Sequence, residues 1–201
     1  REMILQKGII DAVDIMTPDY LHAEITKDCA KARLHILCEK PLSINATEAQ
    51  SMSDIVEKAM DIIVESAMHF IKLQIKAGAH CIGVGDSFCS QIGPELYYRF
   101  AFERQKKLVD FIHSENALAK LHICGNTEAI MEGMIRTGVD IIDIDHMVPS
   151  MKSFTSLLGC HQVFSGKSDP VTVILDGDKN TIHQSVRSDF LDSEGRCIVS
   201  A

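Results

Sequence analysis

The chain has 201 residues, 46% hydrophobic and 24% charged, enough to bury a core as one domain or as two small ones. A formal charge of −8 and the lack of any Lys/Arg-rich run exclude a nucleic-acid footprint, which needs a basic face. Apolar runs such as Val139 to Ile144 are too short to cross a bilayer, so no membrane partner is expected. The opening Arg1-Glu2-Met3-Ile4-Leu5-Gln6-Lys7-Gly8 does not read as a signal peptide. Seven cysteines without regular spacing then predict reduced thiols in the cytoplasm. Cys38, Cys81 and Cys197 lie in short apolar runs and read as small buried hydrophobes.

In chain order, Ile9 to Met16 reads as a strand that Thr17-Pro18-Asp19 ends, capping a helix to about Ala32. Leu34 to Cys38 is the next strand, which makes the opening a parallel βαβ unit. Asn45 or Thr47 caps a helix with Glu48 in its first turn. No Gly or Pro follows Pro41 until Gly78, and Met52, Ile55, Val56, Ala59, Ile63, Ala67, Phe70 and Ala77 keep helical spacing. The spacing predicts one helix of about 30 residues, some 45 Å long, or two with a break near Ala59. Beyond it, strands are predicted at His80–Gly85, Ala119–Ile123, Val139–Ile144, Gln162–Ser165 and Arg196–Ser200. Helices fit between them at Pro94–Ser114, Asn126–Arg136, Ser150–Leu158 and Lys179–Asp192. This rhythm suits part of a (β/α)8 barrel, with strands paired in sequential order; a doubly wound sheet has the same periodicity.

In such a barrel chemistry collects at the carboxyl ends of the strands. Those ends carry Asp86, then His122-Ile123-Cys124-Gly125, then Asp143-Ile144-Asp145-His146, then Ser165-Gly166-Lys167-Ser168-Asp169. His122 and Cys124, spaced i, i+2 on a strand, point to one face and can converge on one ion. An imidazole with a thiolate suits zinc, and an incomplete protein shell leaves room for a substrate. The plain alternative is a buried His beside a free Cys.

The residues around this pair resemble a known family. Ala77-Gly78-Ala79, Gly85-Asp86-Ser87, Ser90, Gly93-Pro94-Glu95-Leu96-Tyr97 and Leu121-His122-Ile123-Cys124-Gly125-Asn126-Thr127 look like the uroporphyrinogen decarboxylase superfamily. So do Thr137-Gly138-Val139-Asp140, Ile144-Asp145 and Gly166-Lys167-Ser168-Asp169-Pro170-Val171, and the likeness covers about Asp61 to Ala201. The His-x-Cys-Gly motif resembles its cobalamin-linked (methylcobamide:thiol) methyltransferase branch. That resemblance implies zinc on His122 and Cys124, with a corrinoid protein as methyl donor and a small thiol as acceptor. The bound thiol, held as its thiolate, would attack the methyl group. It also implies catalytic roles for Asp86 and Asp145. The family's second Cys follows a Ser-Ala-Gly-like turn that these residues do not include, and Cys197 lies too early in its strand to replace it. Weak zinc binding is therefore expected, with Asp145 or His146 as stand-ins.

Residues Asp11-Ala12-Val13-Asp14-Ile15, Thr17-Pro18-Asp19, His22-Ala23-Glu24 and Cys38-Glu39-Lys40-Pro41-Leu42 resemble the Gfo/Idh/MocA oxidoreductases from about Gly8 to Ala59. The resemblance implies a catalytic Lys40 beside a nicotinamide and a cofactor-binding His22. No Gly-x-Gly-x-x-Gly turn occurs in these residues, so NAD(P) is not expected to bind and Lys40 reads as a remnant. The expected organisation is a Rossmann-like βαβ fragment over residues 1–59 and the later part of a barrel over 60–201. Rival readings are a metal-free porphyrinogen decarboxylase, an NAD(P)-linked oxidoreductase fragment and an inert or partner-dependent composite. A hydrolase built on Gly85-Asp86-Ser87 and Asp143-x-x-His146 rests on short matches alone.

Overall fold

The computed structural model describes residues 10–39, 41 and 43–200. The chain forms two compact units, Arg1–Ser66 and Ala67–Ala201.

In the first unit, strand β1 (Ala12–Ile15) pairs in parallel with β2 (His35–Cys38) through helix α1 (His22–Lys31). This is the βαβ unit the sequence predicts. Pro18, at φ −55°, cannot continue β1 and precedes a short 3-10 turn, Asp19–Leu21. α1 packs inward through Ala23, Thr26, Cys29 and Ala30, an i, i+3, i+6, i+7 face. Helix α2 (Ala46–Lys76) is continuous over 31 residues. Asn45 starts it, its Oδ1 accepting from Glu48 N at 2.8 Å, and no residue inside it removes a backbone donor or favours a turn. Of the two forms the spacing allows, the unbroken one is present.

The second unit carries a five-stranded parallel sheet: β3 (Cys81–Gly85), β4 (Leu118–Ile123), β5 (Ile141–Ile144), β6 (Val163–Lys167) and β7 (Cys197–Ser200). Its order is β3-β4-β5-β6-β7, with no reversal. Sequential parallel order is what a (β/α) barrel demands and a doubly wound sheet breaks at its switch point. The unit is thus part of a barrel-type sheet.

The two faces of this sheet differ in chemistry. Ile82, Ala119, Leu121, Ile123, Ile142, Ile144 and Phe164 alternate onto one face and pack with Val109, Ile112, Met131 and Met134 from the helices. The opposite face carries Gly83, Gly85, Lys120, His122, Asp143 and Ser165 in matching register. Burial of the apolar set fixes the register, because a slip of one residue would carry every polar side chain into the core. The site residues therefore owe their direction to the hydrophobic alternation of their neighbours.

The connections depart from the expected helices in three places. Gly93–Ser114 is helical but composite: α3 (Gly93–Leu96), a π-helical turn (Tyr97–Phe102) and α4 (Glu103–Ser114). The expected helix from Asn126 shrinks to a 3-10 turn (Glu128–Ile130) and α5 (Met131–Arg136), because Asn126 Oδ1 accepts from Glu128 N and holds a turn instead. Ser150–Leu158 is not an α-helix: Lys152–Leu157 is 3-10, and Thr155 Oγ1 donates back to Lys152 O. A second π-helical turn, Pro170–Leu175, precedes α6 (Lys179–Asp192). Asp178 caps α6 by accepting from Thr181 N at 2.8 Å.

Asp192, at the end of α6, anchors the 3-10 connection. It accepts from Ser150 Oγ (2.6 Å), Met151 N (2.7 Å) and Lys167 Nζ (3.1 Å). Partial burial pushes its carboxyl up, but the donors from Ser150, Met151 and Lys167 outweigh this and hold it below the usual range. A depressed folded pKa contributes stability above the unfolded value of about 3.9, which is lost as pH falls through the lower folded value. Asp192→Asn is therefore expected to cost about 2 kcal/mol at neutral pH. Chemical denaturation should show the gap between variant and wild type closing as pH falls through and below the ordinary carboxylate range near 4. A gap that stays constant through that window would refute the charge-based account.

Candidate active site

β4 presents Lys120 and His122 on its polar face, and Cys124 follows directly after the strand. Gly125 turns the chain at once, with φ +83°, and its N–H donates to Asp145 Oδ2 at 2.9 Å. A side chain at this position would be strained and would meet Ser90 Oγ at 3.1 Å. This tight turn leaves Cys124 exposed rather than carrying it into the core.

The structure brings His122 and Cys124 together, with Nε2 to Sγ at 3.0 Å. Ser87 Oγ donates to the same sulfur at 3.1 Å. On the other side of the ring, Nδ1 lies 3.0 Å from Asp143 Oδ2. That contact is within ion-pair reach but is not aligned as a hydrogen bond, and Nδ1 is buried with no hydrogen-bond partner. Lys120 Nζ approaches the same carboxylate oxygen at 2.9 Å.

Asp145 and His146, the expected stand-in ligands, are engaged with each other and with the backbone. Asp145 Oδ1 lies 2.7 Å from His146 Nδ1 and accepts from Met147 N at 3.1 Å. Burial raises the Asp145 pKa, yet the Gly125 and Met147 N–H groups, helped by His146 and His122, bring it below the ordinary value. Asp145 thus holds the loop after Cys124 as an ionised acceptor. Among the described residues no group of three or more His, Cys, Asp or Glu is arranged around one ion position.

Asp86, at the end of β3, is fixed from two directions. Its N–H donates to His122 O at 3.0 Å, and its Oδ2 accepts from Gln105 Nε2 at 2.8 Å. Gln105 in turn accepts from the hydroxyl of buried Tyr97 at 2.9 Å. Cys89 beside this chain is no candidate ligand: it is buried, and burial followed by the charge of Asp86 pushes its thiol far up.

Cys197 pairs with Phe164 in the sheet and packs against the core, away from the polar face. Cys38 is partly buried. Cys81 corrects the reading that made all three buried hydrophobes. It is exposed, because register with Leu118 sets it on the open face. In the first unit, His22 is buried, with Nδ1 2.8 Å from Pro41 O and Nε2 2.7 Å from Thr17 O. Both ring nitrogens are therefore occupied by backbone carbonyls. Lys40 lies outside the described residues.

The residues alone give Gln105 and Lys120 no role, and Ser87 and Asp143 only the one in the hydrolase reading. Lys120 was within reach of the period-2 rule that links His122 to Cys124, since it lies two residues before His122. Gln105 offered no signal, because its contact with Asp86 spans a 3-10 turn, α3 and a π-helical turn.

Two family models match the chain, and their matches overlap over residues 47–66. Residues 1–66 match the family model described as oxidoreductase family, NAD-binding Rossmann fold. Uroporphyrinogen decarboxylase of Prochlorococcus marinus (strain MIT 9515) is 32% identical over 163 residues, covering 78% of this chain and 45% of that protein. Methylcobamide:CoM methyltransferase MtbA of Methanosarcina mazei is 34% identical over 126 residues, covering 62% of this chain and 37% of that one. The chain spans under half the length of these curated relatives. A solved methyltransferase from Methanosarcina mazei shares the fold, with a TM-score of 0.64 at 21% identity over 89% of this chain and 57% of that one. The family model described as uroporphyrinogen decarboxylase (URO-D) matches residues 47–196, three quarters of the sequence, and the chain belongs to that family.

Proposed function

We propose that this chain carries the metal-binding part of a zinc-dependent, corrinoid-linked methyltransferase that acts on a small thiol. The observation that carries the reading is the His122 Nε2 and Cys124 Sγ pair, 3.0 Å apart at the carboxyl end of β4. That separation is about half an ångström inside the roughly 3.5 Å expected between an N and an S ligand of one tetrahedral zinc ion, a gap that a small side-chain rotation opens. The two donors fit such an ion, and the methyltransferase relative supports the branch. Zinc would supply Lewis acidity that keeps an acceptor thiol deprotonated near neutral pH. Ser87 stabilises negative charge on the Cys124 sulfur by its hydroxyl donation, and Asp145 holds the loop that presents Cys124. Asp86 and Asp145 are the carboxylates proposed to work at this rim, and the corrinoid is the proposed methyl donor.

Metal-free decarboxylation is the second reading. It is supported by the decarboxylase relatives and by Asp86, a carboxylate at a strand end held by Gln105. Zinc binding separates the two readings. Titration against a chelating dye should show weak zinc binding by the chain, lost on His122→Ala or Cys124→Ala. Equal affinity in all three proteins would remove the chemical basis of the methyltransferase reading. Residues 1–59 and 60–201 are proposed to come from different families. NAD(P) is not part of the proposal, since these residues hold no glycine-rich turn to seat a pyrophosphate.

A further inference from the structure

We infer that Asp143 is a positioning residue for His122: its carboxylate accepts from Nδ1–H and so fixes the tautomer that turns the Nε2 lone pair toward Cys124. This rests on the proposed His122–Cys124 metal pair and extends it one layer outward. Which nitrogen of a ligating histidine binds an ion is set by the partner of the other nitrogen. Here Nε2 faces Cys124 Sγ at 3.0 Å and Nδ1 faces Asp143 Oδ2 at 3.0 Å. Nδ1 is buried and makes no aligned hydrogen bond, so a proton there needs an acceptor that water does not provide. Asp143 is the acceptor at hand.

Three features of the fold keep it there. Sheet register sets Asp143 directly opposite His122, so both leave the sheet on the polar face. Lys120, two residues before His122 on the same strand, holds the same carboxylate oxygen from the other side at 2.9 Å. Asp143 is itself only 8% exposed, so its carboxylate has little access to solvent as an alternative partner.

The test uses the 201-residue chain and two readouts. Long-range proton–nitrogen NMR of the metal-free protein at about pH 8, with the His122 signal identified by its loss in His122→Ala, should show the Nδ1–H tautomer. Asp143→Asn, whose amide can also donate, should lose that preference and bind zinc about 10–100-fold more weakly by dye competition. An Nε2–H tautomer in the wild type overturns the inference, and this holds even if the variant does not fold. Wild-type zinc affinity in Asp143→Asn, with weaker binding in His122→Ala, overturns it too. Wild-type affinity in His122→Ala and Cys124→Ala as well would instead bring down the metal-pair reading beneath it.

Discussion

Gly166→Ala is expected to destabilise the second unit by more than about 3 kcal/mol, whereas Gly85→Ala in the same sheet should change little. Gly166 has φ +92°, a conformation that costs other residues energy, and an added Cβ would fall 2.1 Å from Ile144 O on the neighbouring strand. No rotamer relieves that contact, because both partners are backbone. Strand β6 would have to move off β5, breaking the pairs Asp143↔Ser165 and Ile144↔Gly166. Gly85 has no heavy atom within 4 Å of an added Cβ, so it tests glycine removal without the clash. Urea denaturation of both variants measures the difference, and equal stability would show that β6 can shift at little cost.

The second large effect belongs to Gln105→Leu, which keeps the volume and removes the amide. Gln105 is 3% exposed and links Tyr97 Oη to Asp86 Oδ2. Without it, the Tyr97 hydroxyl has lost its acceptor in a fully buried position and Asp86 has lost this donor. The expected cost is about 3 kcal/mol, the desolvation penalty of groups left unpaired rather than the net worth of one hydrogen bond. Tyr97→Phe combined with Gln105→Leu should cost less than the sum of the two single changes, because the hydroxyl that needed a partner is gone. Strict additivity in that cycle would mean that the two residues do not act through each other.

Much of this molecule was legible in its residues because its elements are strongly marked. The parallel strands of the second unit are short apolar runs separated by helical patterns, and α2 has nothing inside it to stop a helix. His122 and Cys124 were legible because the two-residue period of a strand is rigid. What the residues concealed has two causes. Parallel strands covered on one face and polar on the other, such as Ile141–Ile144, read as nearly continuous apolar runs. The direction of Asp143, and of Cys81 on β3, follows only from pairing with β4. The 3-10 and π turns arise from local side-chain competition and from tertiary packing, neither of which has a hydrophobic period.

The π-helical turn at Tyr97–Phe102 has a further consequence for how this part of the chain can vary. A π turn accommodates one residue more than an α-helical turn, so in effect it is an insertion stored within the helix. Each residue of an α-helix advances the side-chain direction by about 100°. Loss of one residue between Tyr98 and Ala101 would let the wide turn close to a regular one, leaving Gln105 near Asp86 and Val109 and Ile112 on the sheet. Loss of one residue from the regular helix that follows, between Phe102 and Gln105, has no wide turn to absorb it and would swing Gln105, Val109 and Ile112 by that angle together. Length is thus adjustable inside the turn and fixed just beyond it, where a single deletion would disconnect Asp86 and unseat the helix in one step.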